Sequence, residues 1–221
     1  MKISGLIPSS LVDYPGCISA VIFTQGCNLR CGFCHNPDLI NPNPLFKKYI
    51  SEDEVIGYLS SNKKWLDGLV LLGGEPTIQP DLVKFCRKVK NLTKIKIKLD
   101  TNGLNPIVVE ELINNKLIDF VAMDIKVSYL SNKDYIRTKD LLISRGFPHE
   151  FRLTCVPDRV VDENIGMILN YFKGAQRVYL QNFRNEKTLD KKLKKVKPYL
   201  TPKLVEWKNK YKDSFQFMGI R

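Results

Sequence analysis

Short runs of apolar residues recur along the chain, and each run is followed by a polar or glycine-rich motif. Runs of this length are typical of strands that are buried on both faces of a parallel sheet. The third run differs, because lysines alternate with its apolar residues. The hydrophobic pattern predicts six strands, over residues 18–24, 69–72, 95–99, 120–123, 151–156 and 177–180.

Helical segments are predicted between these strands. Ser51-Glu52-Asp53-Glu54 has a capping-box pattern, and Pro106 is favoured in a first helical turn. The predicted helices begin after Ser51 and near Pro106, and cover residues 81–90, 132–144 and 163–172. Pro37, Pro42 and Pro44 are expected to keep the connection before the first helix irregular. Alternating strands and helices predict an α/β fold with a parallel sheet, either an open sheet or a partial barrel.

The chain is expected to form a single domain over residues 1–221. Residues 1–16 form a polar, turn-rich lead-in to the first strand, and residues 187–221 form a basic, partly helical segment that packs on the sheet. Trp65 and Trp207 are expected to be packing residues. The apolar content of 43% is sufficient for a sizeable core.

Composition indicates a cytoplasmic protein. No apolar run approaches the length that spans a membrane, and the N-terminus lacks the charged and apolar regions of a signal peptide. Six cysteines without secretion signals favour a reducing compartment. The net charge is +12, and much of it lies in the C-terminal quarter, for example in residues 191–197. This charge raises the possibility of a nucleic acid or an acidic protein partner. A solvated lysine face is favoured, because no aromatic residues are interleaved with these lysines.

Three cysteines, Cys27, Cys31 and Cys34, are spaced by three and then two residues on one short loop. Thiolates are the soft ligands of iron–sulfur clusters, and a cubane held by three of them leaves one iron open for chemistry. A zinc site that also uses His35 is an alternative, but adjacent Cys34 and His35 would be strained on one ion. The scattered Cys17, Cys86 and Cys155 are expected in the core rather than in disulfides.

The cysteine spacing, with Phe33 before the third cysteine, resembles the signature of the radical S-adenosylmethionine superfamily. The run Cys34-His35-Asn36-Pro37 resembles its glycyl-radical-activating branch. The resemblance implies a (β/α)6 partial TIM barrel and one 4Fe–4S cluster held by Cys27, Cys31 and Cys34. It also implies reductive cleavage of S-adenosylmethionine to a 5′-deoxyadenosyl radical. No acid or base side chain is needed for that chemistry, and an oxygen-labile cluster suits an anaerobic setting.

Two strand-end motifs resemble cofactor contacts of this family. Gly73-Gly74-Glu75 resembles its GGE motif, whose carbonyls and carboxylate accept from the methionyl ammonium. Asp100-Thr101-Asn102 resembles its DTN motif. Asp100 is the candidate acceptor from a ribose hydroxyl or the amino group, and Thr101 and Asn102 are candidates to orient it or contact substrate. A simple cap before the next helix is the structural alternative.

Other candidates lie at later strand ends. Asp124-Ile125-Lys126 resembles a family motif in which Lys126 binds the methionyl carboxylate. Asp124 orients Lys126 or joins Asp100 at a monovalent cation, and a simple ion pair is the alternative. Arg152 lies within an apolar strand and is a candidate for the cofactor carboxylate or an incoming peptide, with a rim position as the alternative. The remaining candidates are Phe33 near the adenine, His35 and Asn36 near the cluster, and Gln181 near the cofactor.

The resemblance implies that the protein installs a glycyl radical on a partner enzyme, with a flavodoxin or ferredoxin as electron donor. Asp13-Tyr14-Pro15-Gly16 resembles an element in activators of anaerobic ribonucleotide reductase. One alternative is a radical enzyme that modifies RNA or a small molecule. Another is a non-catalytic, metal- or cluster-bearing binding protein, which would leave the three strand-end motifs without a purpose.

Overall fold

The computed structural model describes residues 1–41 and 48–221. Pro42 and Pro44, which were expected to keep their connection irregular, lie outside the described residues. The chain divides into two compact units. The first comprises Met1–Leu29, Asp38–Thr101 and Asn105–Val121, and the second comprises Arg30–Pro37, Asn102–Leu104 and Ala122–Arg221.

The described residues contain a sheet of eight strands whose order follows the chain. The strands are β1 (Ile3–Ser10), β2 (Ser19–Thr24), β3 (Gly68–Gly73), β4 (Lys96–Thr101), β5 (Phe120–Asp124), β6 (His149–Cys155), β7 (Arg177–Asn182) and β8 (Phe217–Ile220). In the first unit β2 pairs in parallel with β3, and β3 with β4. In the second unit β6 pairs in parallel with β7, and β7 with β8. The predicted α/β fold with parallel strands is confirmed.

Six α-helices connect or follow the strands within the described ranges. They are α1 (Glu52–Asn62), α2 (Leu82–Thr93), α3 (Pro106–Asn114), α4 (Lys133–Ser144), α5 (Asp162–Asn170) and α6 (Thr201–Tyr211). The side chain of Ser51 accepts from the amide of Glu54 at 3.1 Å, as the capping pattern predicted. The side chain of Asn132 likewise caps α4 by accepting from the amides of Asp134 and Tyr135.

The start of the chain differs from its prediction. Residues 3–10, expected to be a turn-rich lead-in, form β1, which pairs antiparallel with β2. Most of β1 is exposed or half-buried, and it contains Pro8, which a sheet tolerates on an edge strand. Beyond it, the buried ring of Tyr14 packs against Phe120 at a centroid distance of 5.9 Å. The lead-in is therefore part of the first unit's sheet and core.

The basic C-terminal segment contributes a strand as well as a helix to the second unit. The amide of Arg221 donates to Leu180, and that of Asn182 donates to Arg221, so β8 extends the sheet beside β7. On α6, Trp207 is buried and its indole Nε1 donates to Asp162 at 2.6 Å. The helix was expected within residues 187–221, whereas β8 was not.

Burial confirms most core predictions. Cys17, Cys86 and Cys155 are buried, free thiols, as expected for core residues. The prediction for Trp65 is wrong, because 76% of its surface is exposed in the turn after α1. None of the helices in the described ranges has the length and apolar character needed to cross a membrane.

Candidate functional site

The Gly73-Gly74-Glu75 turn is bonded by its backbone to the chain just before the first predicted cluster ligand. Gly74 donates its amide to Thr24, and Glu75 donates its amide to Gly26, each at 2.8 Å. A Cβ on Gly74 would lie 1.9 Å from the carbonyl oxygen of Gly26, and Gly73 has a φ of +130°. Both positions therefore require glycine, the first because of close approach and the second because of its backbone conformation.

The carboxylate of Glu75 is buried and already holds the turn in place. Its Oε1 accepts from the amide of Thr77 at 3.1 Å, from the Thr77 hydroxyl at 2.6 Å and from the Thr101 hydroxyl at 2.7 Å. These bonds link the end of β3 to the end of β4. Thr101 thus bonds to Glu75, and its expected role in orienting Asp100 stays a prediction.

Asp100 lies one residue before Thr101 on β4, and its side chain is 10% exposed. Its Oδ1 accepts from the buried ammonium of Lys98 at 2.5 Å. The lysine was not among the candidates from the sequence. A buried lysine that is paired with a carboxylate at a strand end occurs both in functional sites and in purely structural ion pairs.

Cys27, in the first unit, begins the cysteine loop at a firmly held position. The amide of Gly26 donates to Leu39 at 2.7 Å, and that of Cys27 donates to Ile40 at 3.2 Å. The Cys27 Sγ accepts from the amide of Leu29 at 3.4 Å. These three bonds fix the backbone at the start of the cysteine loop and the position of the Cys27 sulfur.

Cys31 and Cys34, in the second unit, flank a tight turn. The amide of Cys34 donates to the carbonyl of Cys31 at 3.0 Å, and burial raises the pKa of the Cys34 thiol. Between them, Gly32 accepts from the amide of Asp190 at 2.9 Å. Phe33 and Val196 both pack against an apolar cluster of Val156, Phe183 and Leu193. The later part of the cysteine loop is therefore braced by residues 190–196 of the basic segment.

Asp124, at the end of β5, is held between two cations. Its Oδ1 accepts from Arg152 Nε at 3.0 Å and Nη2 at 2.9 Å, and its Oδ2 accepts from Lys126 Nζ at 3.0 Å. Burial opposes ionisation, but the charges of Lys126 and Arg152 outweigh it and lower the pKa of Asp124 to about 2. The Lys126 ammonium also lies 5.4 Å from the centroid of the Phe33 ring. Asp124 is thus paired with Lys126 and Arg152, and a role in orienting Lys126 for the cofactor stays a prediction.

The remaining candidates have mainly local contacts. The side chain of Asn102 accepts from the amide of Leu104 at 3.0 Å, so it caps the turn as the structural alternative proposed. The pKa of His35 is lowered by burial and by the charge of Arg184. Gln181 lies opposite Thr154 near the end of β7. These contacts leave the cofactor roles of Asn102, His35, Asn36 and Gln181 as predictions.

The donor set of the cysteine loop consists of three thiols, which are the soft ligands that iron–sulfur clusters take. Cys27, Cys31 and Cys34 are free thiols, and each is partly exposed. Across residues 1–41 and 48–221, no three His, Cys, Asp or Glu side chains are arranged to hold one metal ion. A cubane places its thiolates on different irons, so they need not converge on one point.

Sequence reasoning missed several residues that hold these groups in place. Thr77 bonds to Glu75, and Lys98 bonds to Asp100. The Tyr135 hydroxyl donates to the carbonyl of Asp124 at 3.0 Å and accepts from the amide of Lys126 at 3.1 Å. Thr77 and Lys98 each lie two residues from a predicted site residue, and this short spacing could have identified them from the sequence. Tyr135 lies on a separate helix, so its contact with Asp124 has no such signal in the sequence.

Comparison with known proteins agrees with these features. The family model of the radical SAM superfamily matches residues 21–140. A Methanocaldococcus jannaschii protein, provisionally named a glycyl-radical enzyme activating enzyme, is 32% identical over 88% of this chain and 85% of its own length. The pyruvate formate-lyase-activating enzyme of Clostridium pasteurianum is 35% identical over 57% of this chain and 52% of its own length.

The fold also matches a solved structure. Streptococcus suis SuiB bound to S-adenosylmethionine superposes with a TM-score of 0.68 at 20% identity, over 91% of this chain and 49% of SuiB. This chain therefore spans about half of SuiB and about half of the Clostridium relative. At that identity the likeness concerns the fold alone, and it confirms the predicted partial-barrel class. From the family match, the long alignment to the Methanocaldococcus relative and the cysteine loop, the chain belongs to the radical S-adenosylmethionine superfamily.

Proposed function

We propose that this radical SAM enzyme installs a glycyl radical on a partner protein. Enzymes of the superfamily use a 4Fe–4S cluster and S-adenosylmethionine, which when bound supply one-electron cleavage of the sulfonium and hydrogen-atom abstraction from a substrate. The observation that carries the proposal is the similarity to a protein named as a glycyl-radical enzyme activating enzyme, which extends over 88% of this chain. The Cys34-His35-Asn36-Pro37 run adds support.

In this proposal the three loop cysteines hold the cluster, and the protein supplies binding, orientation and exclusion of water. Cys27 enters the site from a loop start fixed to Leu39 and Ile40. Phe33 is braced by apolar neighbours and shields the cofactor's adenine from water. His35 and Asn36, which follow the last cysteine, donate hydrogen bonds towards cluster sulfurs or the cofactor.

The strand-end motifs bind S-adenosylmethionine. The backbone carbonyls of Gly73 and Gly74 accept from its ammonium, and the buried Glu75 keeps the turn rigid while adding negative charge. Asp100 accepts from a ribose hydroxyl or the amino group, with Thr101, Asn102 and Gln181 as further polar contacts. A turn that is already rigid loses little entropy on binding, which favours affinity.

Lys126 binds the methionyl carboxylate. Its ammonium is oriented by Asp124, which Arg152 holds with two bonds to one oxygen. The group carries two cations and one carboxylate, so its net charge is positive and favours an anion. Asp124 and Asp100 remain candidates for a monovalent cation, and Arg152 remains a candidate for contact with an incoming peptide.

The electron donor in this proposal is an acidic flavodoxin or ferredoxin. Lys191, Lys192, Lys194 and Lys195 are exposed on the segment that Asp190 bonds to Gly32 of the cysteine loop. Positive surface charge beside this loop favours encounter with an acidic protein. The proposal places the enzyme in a reducing cytoplasm, where its free thiols stay reduced.

The test of this proposal uses anaerobic ribonucleotide reductase as the candidate partner, because Asp13-Tyr14-Pro15-Gly16 resembles an element in activators of that enzyme. The reconstituted protein, reductant and S-adenosylmethionine are mixed with the reductase under anaerobic conditions. We expect a glycyl-radical doublet in the electron paramagnetic resonance spectrum, which is absent without S-adenosylmethionine. Cofactor cleavage that leaves the reductase and other glycyl-radical enzymes unmodified, but modifies RNA or a small molecule, would contradict the proposal.

A second prediction concerns Lys126. Lys126→Ala is expected to weaken S-adenosylmethionine binding roughly 10- to 100-fold, because a charge-assisted hydrogen bond contributes about 1.5–3 kcal/mol. Arg152 still neutralises Asp124, so the fold and the cluster should persist. Equilibrium dialysis of cluster-loaded protein measures the affinity.

The matched control is Lys133→Ala, which removes an exposed lysine at the start of α4. This variant should bind S-adenosylmethionine with the same affinity as the unmodified protein. If Lys126→Ala also leaves the affinity unchanged while its iron content is full, Lys126 has no role in binding the cofactor.

A further inference from the structure

Lys98 carries a charge into the interior of the first unit. Its side chain is 2% exposed, and that of Asp100 is 10% exposed. The two residues are two positions apart on β4, so their side chains lie on the same face of the strand. The Lys98 Nζ donates to Asp100 Oδ1 at 2.5 Å. The ammonium therefore points along the strand towards its carboxyl end, where Asp100 lies.

The row of the sheet that contains Lys98 is apolar on β2 and β3. Val21 pairs in register with Val70, and Val70 pairs with Lys98. Both valines belong to one apolar cluster with Phe120. Burying an ammonium in such surroundings costs free energy, and an apolar residue at this position would avoid that cost. The fold alone gives no reason for a lysine here, whereas the carboxylate of Asp100 does.

We propose that Lys98 is a positioning residue, which fixes the carboxylate of Asp100 for its contact with the ribose or amino group of S-adenosylmethionine. The inference rests on the cofactor role given to Asp100 in the proposed function. An aspartate carboxylate rotates about its terminal bond, and the bond from Lys98 to Oδ1 selects one orientation. Glu75 is fixed in a comparable way by Thr77 and Thr101, so both acidic side chains of the first unit's motifs are held before ligand binds.

The test is a double-mutant cycle on S-adenosylmethionine affinity, measured by equilibrium dialysis of cluster-loaded protein. Lys98→Met keeps the length of the side chain and removes its charge. It is expected to raise the Kd roughly tenfold, as for other residues that orient a ligand-binding group. The matched control is Lys96→Met, which removes the exposed lysine two residues earlier on the same strand and should leave the Kd unchanged.

The second half of the cycle separates positioning from direct contact. Asp100→Asn alone should raise the Kd, and adding Lys98→Met to Asp100→Asn should change it by less than about twofold. If Lys98→Met still weakens binding about tenfold in the Asp100→Asn background, Lys98 acts on the ligand directly and the proposal is wrong. If Lys98→Met binds as tightly as the unmodified protein, Lys98 has only a structural role.

Thermal unfolding of the same variants measures how much each substitution changes the stability of the fold, separately from its effect on the affinity. Lys98→Met leaves the Asp100 carboxylate without its cation, and should lower the unfolding temperature. The double variant buries a neutral pair, so its unfolding temperature should recover most of that loss. If Lys98→Met alone is too unstable to take up the cluster, the affinity of the double variant can still be compared with that of Asp100→Asn. Failure of the unmodified protein to bind S-adenosylmethionine would instead contradict the proposed function, so the two failures are distinguishable.

Discussion

Cys31→Ala is expected to abolish assembly of the iron–sulfur cluster and all cleavage of S-adenosylmethionine. The loop provides only three thiolates, so removal of one leaves two irons of a cubane without protein ligands. The other three cysteines, Cys17, Cys86 and Cys155, are buried and lie outside the loop. Iron and sulfide content after anaerobic reconstitution measures the effect, together with the visible absorption of the cluster.

The matched control is Cys155→Ala, which removes a fully buried thiol from β6 of the same unit. The loss of a small core side chain should lower the free energy of unfolding by about 1 kcal/mol. Its iron content should stay complete. The two variants are therefore expected to differ in opposite ways. Cys31→Ala should lose the cluster with little effect on the core, and Cys155→Ala should keep the cluster but have a lower free energy of unfolding. A Cys31→Ala protein with a full cluster and normal cleavage would overturn the ligand assignment.

Gly74→Ala is expected to destabilise the first unit severely. The added Cβ would lie 1.9 Å from the carbonyl oxygen of Gly26 and 2.9 Å from that of Leu39, and both are backbone atoms that cannot rotate away. Relief requires the turn to separate from the start of the cysteine loop. We expect a loss of about 3 kcal/mol or more in the free energy of unfolding. Denaturant unfolding measures it.

A second glycine provides the control. Gly57 lies within α1, and a Cβ there would meet nothing within 4 Å. Gly57→Ala should therefore stabilise the protein by about 0.5–1 kcal/mol, because alanine loses less conformational entropy in a helix. If Gly74→Ala were as stable as the unmodified protein, the close contact between the strand-end turn and the cysteine loop would be absent in solution.

The fold could be predicted where burial leaves a simple pattern. Strands β2 to β6 are largely buried, so most of them are short apolar runs, and two of the predicted helices had a capping box or a first-turn proline. β1 escaped prediction because much of it is exposed and it contains Pro8. β8 is a strand of four residues in a lysine-rich stretch, whose pairing with β7 depends on long-range contacts.

The candidate site could be predicted as residue types but not as contacts. The cysteine spacing and the strand-end motifs are local in sequence, and so they were found. The bond from Thr101 to Glu75 joins residues 26 positions apart. Lys98 stands in a strand where lysines alternate with apolar residues, a pattern that by itself suggests exposed lysines. Only the structure distinguishes the exposed Lys96 from the buried Lys98.

The most direct test of the central claim is cleavage of S-adenosylmethionine itself. The protein is reconstituted with iron and sulfide, reduced with dithionite under anaerobic conditions, and assayed for 5′-deoxyadenosine. The radical SAM assignment predicts product that depends on the reductant and disappears when Cys27, Cys31 or Cys34 is replaced by alanine. A fully loaded cluster that accepts an electron, yet forms no 5′-deoxyadenosine even with candidate partner enzymes present, would contradict it.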